Sequence, residues 1–166
     1  MRTNYIDKIS SRIMSGQPLD MLLARMRLRG RTIVFTNGCF DLLHRGHVEY
    51  LAKAASLGNF LVVGLNSDES VKRLKGSDRP VLNQETRALM LASLDFVRVV
   101  TIFDQDTPVE LIKLIRPDIL VKGGDYKSTN DVVGHEIVEA YGGSVQLVGL
   151  TEGFSTTSLI KKLAEK

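Results

Sequence analysis

Residues 38–47 read Gly-Cys-Phe-Asp-Leu-Leu-His-Arg-Gly-His, between an apolar run at residues 32–36 and a helical pattern that starts near residue 46. The apolar run predicts a buried strand. The apolar face after the turn, formed by Val48, Leu51, Ala52 and Ala55, predicts a helix. A helix N-terminus has unpaired N–H groups and a partial positive charge, which attract phosphate. We therefore interpret this strand, turn and helix as a binding site for a nucleotide triphosphate.

Two histidines give the turn its chemical character. His44 and His47 flank Gly46, so their ring N–H groups can reach the same phosphate oxygens. Gly46 has no side chain at the point where a phosphate must approach the backbone. The structural alternative is that the histidines hydrogen-bond the backbone at the helix start, since a short His-x-Gly-His pattern also occurs by chance.

Apolar runs alternate with helical patterns along the chain. The predicted strands are residues 32–36, 60–65, 97–102, 118–122 and 145–149. The predicted helices are residues 5–14, a second helix opened by Pro18 and closed by Gly30, and residues 46–57, 67–74, 84–94, 107–115, 131–141 and 156–165. This alternation predicts an α/β fold, a doubly wound five-stranded parallel sheet of the Rossmann-like type over residues 31–166, with an N-terminal helical extension over residues 1–30.

Polar and glycine-containing motifs follow four of the predicted strands. Asn37-Gly38 follows the first strand, residues 66–68 the second, residues 122–124 the fourth and residues 153–157 the fifth. Ligands of doubly wound sheets bind beyond the carboxyl ends of the strands. The four motifs therefore predict one shared site at that edge of the sheet.

The composition is that of an ordinary globular protein with a mild positive charge. The chain has 166 residues, a formal net charge of +3 and a single cysteine, Cys39, so an internal disulfide is excluded. No basic run indicates a nucleic-acid surface, and no apolar run approaches the ~20 residues that span a membrane. No secretory signal is visible, and we expect a cytoplasmic protein.

Together the motifs resemble those of the heptose-1-phosphate adenylyltransferases, within the nucleotidyltransferase superfamily that carries the His-x-Gly-His turn. The resemblance covers residues 30–163, and its most specific parts are Lys-Gly-Gly-Asp-Tyr at residues 122–126 and Ser-Thr-Thr at residues 155–157. It implies transfer of AMP from ATP to a heptose 1-phosphate, with Mg²⁺ accompanying the triphosphate. The product would feed lipopolysaccharide core or surface-glycan assembly.

The residues expected to carry this reaction fall into three groups. The catalytic group is His44, His47 and Lys75. Nucleotide and phosphate contacts are expected from Asn37, Gly38, Cys39, Phe40, Gly46, Lys72, Arg87, Lys122, Gly123, Gly124, Ser155, Thr156 and Thr157. Substrate contacts are expected from Asn66, Asp68 and Asp125, and no protein ligand is expected for a metal.

Structural alternatives exist for several of the charged residues. Lys72 and Lys75 would share one helix face, which could be a solvated basic face, and the loop after them, residues 76–79, looks mobile enough to close over a triphosphate. Lys122 would enter the pocket at a strand end and need an anion nearby. Arg87 could reach the phosphates or form a surface ion pair with Glu85 or a neighbour.

Other polar residues have two interpretations as well. Asp68 and Asp125 could each bind substrate or cap a helix. Cys39 is expected to be a small buried filler, because nucleotidyl transfer needs no covalent enzyme intermediate. His135 stands apart from the motifs and is expected to be structural.

Two other functions compete with heptose adenylylation. One is a cytidylyltransferase acting on glycerol 3-phosphate or a similar phospho-alcohol. Those relatives tend to carry an arginine where this chain has residues 150–152, Leu-Thr-Glu, and a bulkier, more acidic form of residues 122–126. The other is a non-catalytic nucleotide-binding module, against which the intact pair of His44 and His47 argues.

Two expectations concern partners. The second helix carries an apolar face that could bind another copy of the chain, formed by Leu19, Leu22, Leu23 and Met26, and this predicts a homodimer. The residues before the first predicted strand do not resemble a sugar kinase, although such a kinase is often fused to transferases of this family. We therefore expect a separate heptose kinase to supply the sugar phosphate.

Overall fold

The computed structural model describes residues 4–124 and 126–149, together with residues 153, 156 and 160. Within them, five parallel strands form one sheet in the order β3-β2-β1-β4-β5. The strands are β1 Ile33–Gly38, β2 Phe60–Asn66, β3 Val97–Phe103, β4 Ile119–Gly123 and β5 Ser144–Val148. This confirms the predicted doubly wound sheet.

The order of the strands places the switch point of the sheet between β1 and β4. From β1 the chain builds β2 and β3 on one side and then returns to build β4 and β5 on the other. Every residue of β2 is buried, as expected for a central strand covered on both faces. The carboxyl ends of β1 and β4 therefore frame the crevice where such sheets bind ligands.

Helices cover both faces of the sheet. Their bounds are α1 Tyr5–Ser10, α2 Gly16–Leu28, α3 Arg45–Ala55, α4 Asp68–Lys75, α5 Gln84–Ser93, α6 Val109–Ile115 and α7 His135–Ala140, with a short 3-10 helix at Thr129–Asp131. One apolar core lies on each side of the sheet. In the described residues, no helix is both long and apolar enough to cross a membrane.

The main differences from the predicted helix boundaries lie at three places. The first helix, predicted over residues 5–14, ends at Ser10, and residues 12–14 pair with β3 instead. The second helix begins at Gly16, so Pro18 lies inside its first turn and does not open it. The helix predicted over residues 131–141 is divided, because Gly134 adopts a left-handed φ of 90° and α7 begins after it. The helix predicted over residues 156–165 lies mostly outside the described residues. The Asn83 side chain caps α5, accepting from Thr86 N at 2.9 Å.

The N-terminal helices pack on the same core as the rest of the chain. Leu19, Leu23 and Met26 of α2 are buried in the cluster that contains Ile33 and Phe35 of β1. The apolar face that was expected to bind a second copy thus lies on the chain's own sheet. It gives no support to the homodimer, which stays a prediction.

The segment between α1 and α2 pairs with the edge of the sheet. Ile13 bridges to Val100 of β3 in parallel, with Met14 N donating to Val100 O at 3.0 Å and Val100 N donating to Arg12 O at 2.9 Å. The first helices are therefore tied to the sheet by backbone hydrogen bonds as well as by side-chain packing.

Candidate active site at the switch point of the sheet

The turn after β1, residues 38–44, places His44 at the N-cap of α3. Its Nδ1 accepts a hydrogen bond from His47 N at 3.3 Å. An Nδ1 that accepts carries no proton, so the proton of the neutral ring is on Nε2, free to donate to a ligand. His44 can therefore cap the helix through Nδ1 and bind phosphate through Nε2 at the same time, so the two interpretations are compatible.

His47 lies against His44 and Phe40. Its ring stacks on the His44 ring at a centroid distance of 3.8 Å, and the Phe40 ring meets it edge-on at 5.4 Å. Burial, then the neighbouring His44, lowers the pKa of His47 to about 4, although the negative charge of Asp41 opposes them. Its Nδ1 is buried and has no hydrogen-bond partner among the described residues. A buried polar atom left unbonded is costly and rare in folded proteins, which indicates a binding site.

The backbone of this turn is strained. Phe40 and Leu42 have φ values of 44° and 50°, in the left-handed region that bulky residues rarely adopt. The Phe40 ring packs closely over Gly38, where a Cβ would lie 3.1 Å from the ring and force it to shift. Strain of this kind concentrates at functional sites, where the surrounding structure imposes it.

Lys122 ends β4 beside the end of β1. The parallel register that pairs Phe35 with Leu120 brings it next to Asn37, whose Oδ1 accepts from Lys122 Nζ at 2.5 Å. Burial lowers the pKa of Lys122 to about 8, and no carboxylate among the described residues pairs with it. A partly buried ammonium with only an amide oxygen as partner needs an anion, as the sequence predicts.

The backbone after Lys122 is open to a ligand. Gly124 has a φ of 121°, and a Cβ built on it would meet nothing within 4 Å. With Gly123 at the end of β4, the chain can approach a ligand closely at this point. Asp125, the next predicted contact, lies outside the described residues.

The two lysines of α4 have different surroundings. Lys72 forms an exposed ion pair with Glu69 at 2.7 Å, as on a solvated basic face. Lys75 has no carboxylate partner in the described part of the chain, and its charge reaches Cys39 in the turn after β1. Burial raises the pKa of the Cys39 thiol, and the positive charges of Lys75, Arg87 and Arg79 oppose this rise only in part. The thiol is therefore protonated at neutral pH, as suits a filler.

The Arg87 side chain is buried behind the candidate site and is not exposed at the protein surface. Its guanidinium is fully buried and donates to Leu82 O at 3.0 Å, Cys39 O at 2.6 Å, and Asn66 O and Asp68 Oδ1 at 2.9 and 2.7 Å. The predicted surface ion pair with Glu85 is wrong, because the ion pair is buried and made with Asp68. Four of the five N–H groups are used, so the geometry indicates a positioning role.

The turn after β2 is internally bonded. Ser67, not Asp68, caps α4, accepting from Ser70 N at 3.0 Å, which corrects the predicted capping role of Asp68. Asn66 Nδ2 donates to Ser70 Oγ at 3.0 Å. The Asp68 carboxylate is paired with Arg87. Contact of Asn66 and Asp68 with substrate stays a prediction.

Asp41 is an important residue that the sequence analysis does not identify. It is 1% exposed and accepts hydrogen bonds from Arg79 Nε at 2.7 Å, Val81 N at 2.9 Å and Leu82 N at 3.1 Å. Burial raises its pKa, but these hydrogen bonds and the Arg79 charge outweigh burial and lower it. The second half of the loop between α4 and α5 is thus anchored to the turn after β1. A lone aspartate inside the apolar run Phe-Asp-Leu-Leu is the signal that could have revealed it.

The predicted Ser-Thr-Thr segment is described only at Thr156. Its hydroxyl donates to the backbone oxygen of Asp41 at 2.8 Å, which brings the last motif to the turn after β1. Ser155 and Thr157 lie outside the described residues. The motifs after β1, β4 and β5 therefore meet at one edge of the sheet.

A metal site and His135 are the remaining features to place, and His135 lies away from the turn after β1. Among residues 4–124 and 126–149, no group of three His, Cys, Asp or Glu side chains could hold a metal ion. His135 Nδ1 lies 3.0 Å from Val132 O at the start of α7, which is the structural role expected for it.

Comparison with known proteins agrees with this fold. The family model described as cytidylyltransferase-like matches residues 35–162. The chain therefore belongs to the cytidylyltransferase-like family of nucleotidyltransferases, the class that the fold and the histidine turn define.

Its curated relatives include bifunctional proteins. The chain is 53% identical over 156 residues to the bifunctional protein HldE of Syntrophotalea carbinolica, covering 94% of this chain and 32% of that protein. It is 56% identical over 142 residues to HldE of Geobacter sulfurreducens, covering 86% of this chain and 29% of that protein. The chain thus spans about a third of the length of these relatives.

Two solved structures share the fold. A lipopolysaccharide core biosynthesis protein from Thermoplasma volcanium GSS1 has a TM-score of 0.60 and 27% identity, covering 74% of this chain and 98% of that one. A pantoate-beta-alanine ligase from Francisella tularensis also has a TM-score of 0.60, over 93% of this chain and 78% of that one. At 14% identity the second likeness concerns the fold alone.

Proposed function

We propose that the chain transfers AMP from ATP to D-glycero-D-manno-heptose 1-phosphate, giving ADP-heptose and pyrophosphate for lipopolysaccharide core or surface-glycan precursors. An oxygen of the sugar phosphate attacks the α-phosphorus of ATP. A new P–O bond forms there, the bond from the α-phosphorus to the bridging oxygen breaks, and pyrophosphate leaves with the bonding electrons. Both reactants are anions, so the site has to position them and neutralise charge.

The observation that carries the proposal is an unmet need for an anion at the switch point. The buried Nδ1 of His47 lacks a hydrogen-bond partner among the described residues, and Lys122 and Lys75 lack a carboxylate there. Arg87 is paired with Asp68, whereas Arg79 contacts Asp41 through one edge of its guanidinium only. A triphosphate would supply the missing negative charge.

The roles follow from these surroundings. His44 Nε2 and the His47 ring donate to phosphate oxygens as negative charge builds in the transition state. With a pKa of about 4, His47 acts as a neutral donor at pH 7. Lys122 and Lys75 neutralise the triphosphate, while the backbone at Gly123 and Gly124 approaches it. Contacts from Ser155, Thr157 and Asp125 belong to the same proposal.

Mg²⁺ enters the proposal with the nucleotide. It prefers oxygen ligands and keeps most of them as water and phosphate. The described residues offer no carboxylate cluster suited to a protein-held metal, so no step is assigned to it.

The choice of sugar and base rests on sequence. Residues 122–126 and the absence of an arginine at residues 150–152 favour heptose 1-phosphate over glycerol 3-phosphate. The structural neighbour named as a lipopolysaccharide core biosynthesis protein supports a role in making precursors of lipopolysaccharide. The family description, cytidylyltransferase-like, favours CTP and keeps a glycerol 3-phosphate cytidylyltransferase as the second candidate.

A panel of pyrophosphate-release assays tests the proposal. ATP and CTP are each combined with heptose 1-phosphate and glycerol 3-phosphate, and kcat/KM is measured for the four pairs. ATP with heptose 1-phosphate should be the best pair. A higher kcat/KM for CTP with glycerol 3-phosphate would replace it by the second candidate, and nucleotide binding without pyrophosphate release would indicate a regulatory module.

The proposed setting is a cytoplasmic homodimer supplied by a separate heptose kinase. The relatives are bifunctional proteins, so a kinase activity on the same polypeptide is the competing arrangement. The purified chain with ATP should leave heptose and heptose 7-phosphate unphosphorylated. A monomer mass by light scattering at micromolar concentration would reject the dimer.

A further inference from the structure

The Asp41 carboxylate connects the histidine turn to the loop between α4 and α5. Asp41 precedes His44 by three residues, and its charge reaches His47. It holds the loop through the Arg79 guanidinium and two successive backbone N–H groups, those of Val81 and Leu82. A carboxylate that is 1% exposed is stable only with such partners, so the loop and the turn fix each other.

Arg79 uses one edge of its guanidinium for this contact. Its Nε donates to Asp41, whereas Nη1 and Nη2 donate to no acceptor in the described part of the chain, and the side chain is 19% exposed. Its positive charge and that of Lys75 both act on Cys39, so the two cations lie beside the same turn. A guanidinium with a free edge suits phosphate oxygens, which it can bind through two parallel N–H groups.

We propose that Asp41 is a positioning residue of the nucleotidyl transfer, which holds Arg79 so that the free edge of its guanidinium binds the triphosphate beside Lys75. The proposal rests on the proposed function because it takes a nucleoside triphosphate as ligand. It does not depend on which sugar phosphate accepts the nucleotide.

The test measures ATP binding by titration calorimetry on the full chain without an acceptor. Arg79→Gln should raise the Kd of ATP about tenfold or more, since hydrogen bonds to charged groups contribute at least that much. Arg73 is the matched control, because it lies nearby on α4 but pairs with Asp106 at the surface. Arg73→Gln should bind ATP as the native chain does. Native affinity in Arg79→Gln would overturn the proposal.

The coupling of the two residues is tested with Asp41→Asn. This change keeps the side-chain size but removes the charge that orients Arg79, so it too should weaken ATP binding. Because both changes act through one contact, the double variant should be no weaker than the weaker single variant. If the two effects multiply instead, Asp41 does not act through Arg79. Thermal unfolding of each variant shows whether weaker ATP binding is caused by loss of the folded structure.

If Asp41→Asn does not fold, a further variant tests the proposal. Arg79→Lys keeps the charge but cannot bind Asp41 with one edge and phosphate with the other. It should still weaken ATP binding several-fold, and native affinity would overturn the proposal. Failure of the sugar assignment would look different, because pyrophosphate release would be lost with heptose 1-phosphate while ATP binding still responded to Arg79→Gln.

Discussion

The turns after β1 and β2 are built alike but serve the site differently. Each leads from a buried strand into a helix. The first turn contains two non-glycine residues with positive φ, Phe40 and Leu42, and leads to a histidine with an unbonded buried nitrogen. In the second turn, Ser67 caps the helix, Asn66 bonds to Ser70, and Asp68 pairs with Arg87.

The difference separates residues that meet a ligand from residues that hold them. Polar groups of the second turn are satisfied within the protein, so a ligand has little to add there. In the first turn, by contrast, the His47 Nδ1 is unbonded among the described residues and the backbone is strained, and Lys122 nearby has no carboxylate partner there. Changes in the second turn should therefore affect stability, and changes at the histidines of the first turn should affect turnover.

The largest expected effect is on stability, at Arg87. Arg87→Ala removes four hydrogen bonds and leaves Asp68 without its cation, so the free energy of unfolding should fall by about 3–5 kcal/mol. Urea denaturation measures this. Arg73→Ala, which breaks exposed ion pairs with Asp104 and Asp106, should lower the free energy of unfolding much less. Equal losses in both variants would contradict the supporting role of Arg87.

Next in size is the effect of the histidines on turnover. His44→Ala or His47→Ala should lower kcat by about 10²–10³, equivalent to roughly 2.7–4 kcal/mol, and change the Kd of ATP less, because the lost donors matter most as charge develops. Steady-state kinetics and calorimetry separate the two quantities. His135→Ala is the control and should keep native kcat. A His44 or His47 variant with near-native turnover would remove that residue from the mechanism.

A smaller effect is expected on ATP binding when the pH is raised through the pKa of Lys122. Its pKa is lowered from 10.5 to about 8, so in the free protein the amine loses its charge as pH rises through 8, and ATP binding should weaken. Between pH 8 and 10.5 the unfolded chain still holds this proton, so the contribution of Lys122 to the free energy of unfolding increases with pH.

Substitution isolates the contribution of Lys122. The Kd of ATP in Lys122→Met should rise less between pH 7 and pH 9 than in the native chain. Lys113→Met alters an exposed lysine paired with Glu110 and should behave as the native chain does. An unchanged pH dependence in Lys122→Met would assign the titration to another group.

The smallest effect is expected at Cys39. Partial burial keeps the thiol protonated, and we expect its role in the turn to be to fill space. Cys39→Ser should therefore retain a kcat close to the native value in the pyrophosphate assay. A folded but inactive Cys39→Ser would instead indicate that the thiol takes part in the reaction, for example as a nucleophile.

The sequence predicts the sheet well because buried parallel strands are written as continuous apolar runs. The run at residues 60–65, for example, corresponds to β2, Phe60–Asn66. The roles of Arg87 and Asp41 could not be predicted in the same way, because they depend on contacts between distant residues. Arg87 reaches the Cys39 oxygen across 48 positions, and Asp41 reaches Leu82 across 41. The pattern locates the site but does not identify which of its charges are already neutralised.

The pairing of residues 12–14 with β3 also affects the tendency of the protein to aggregate. A bare edge strand offers its N–H and C=O groups to any extended chain and is a common start of aggregation. Met14 and Arg12 occupy both groups of Val100, in the middle of this edge. A protein that lost this segment would expose a strand template at β3, so the N-terminal residues protect solubility at high concentration as well as the fold of each molecule.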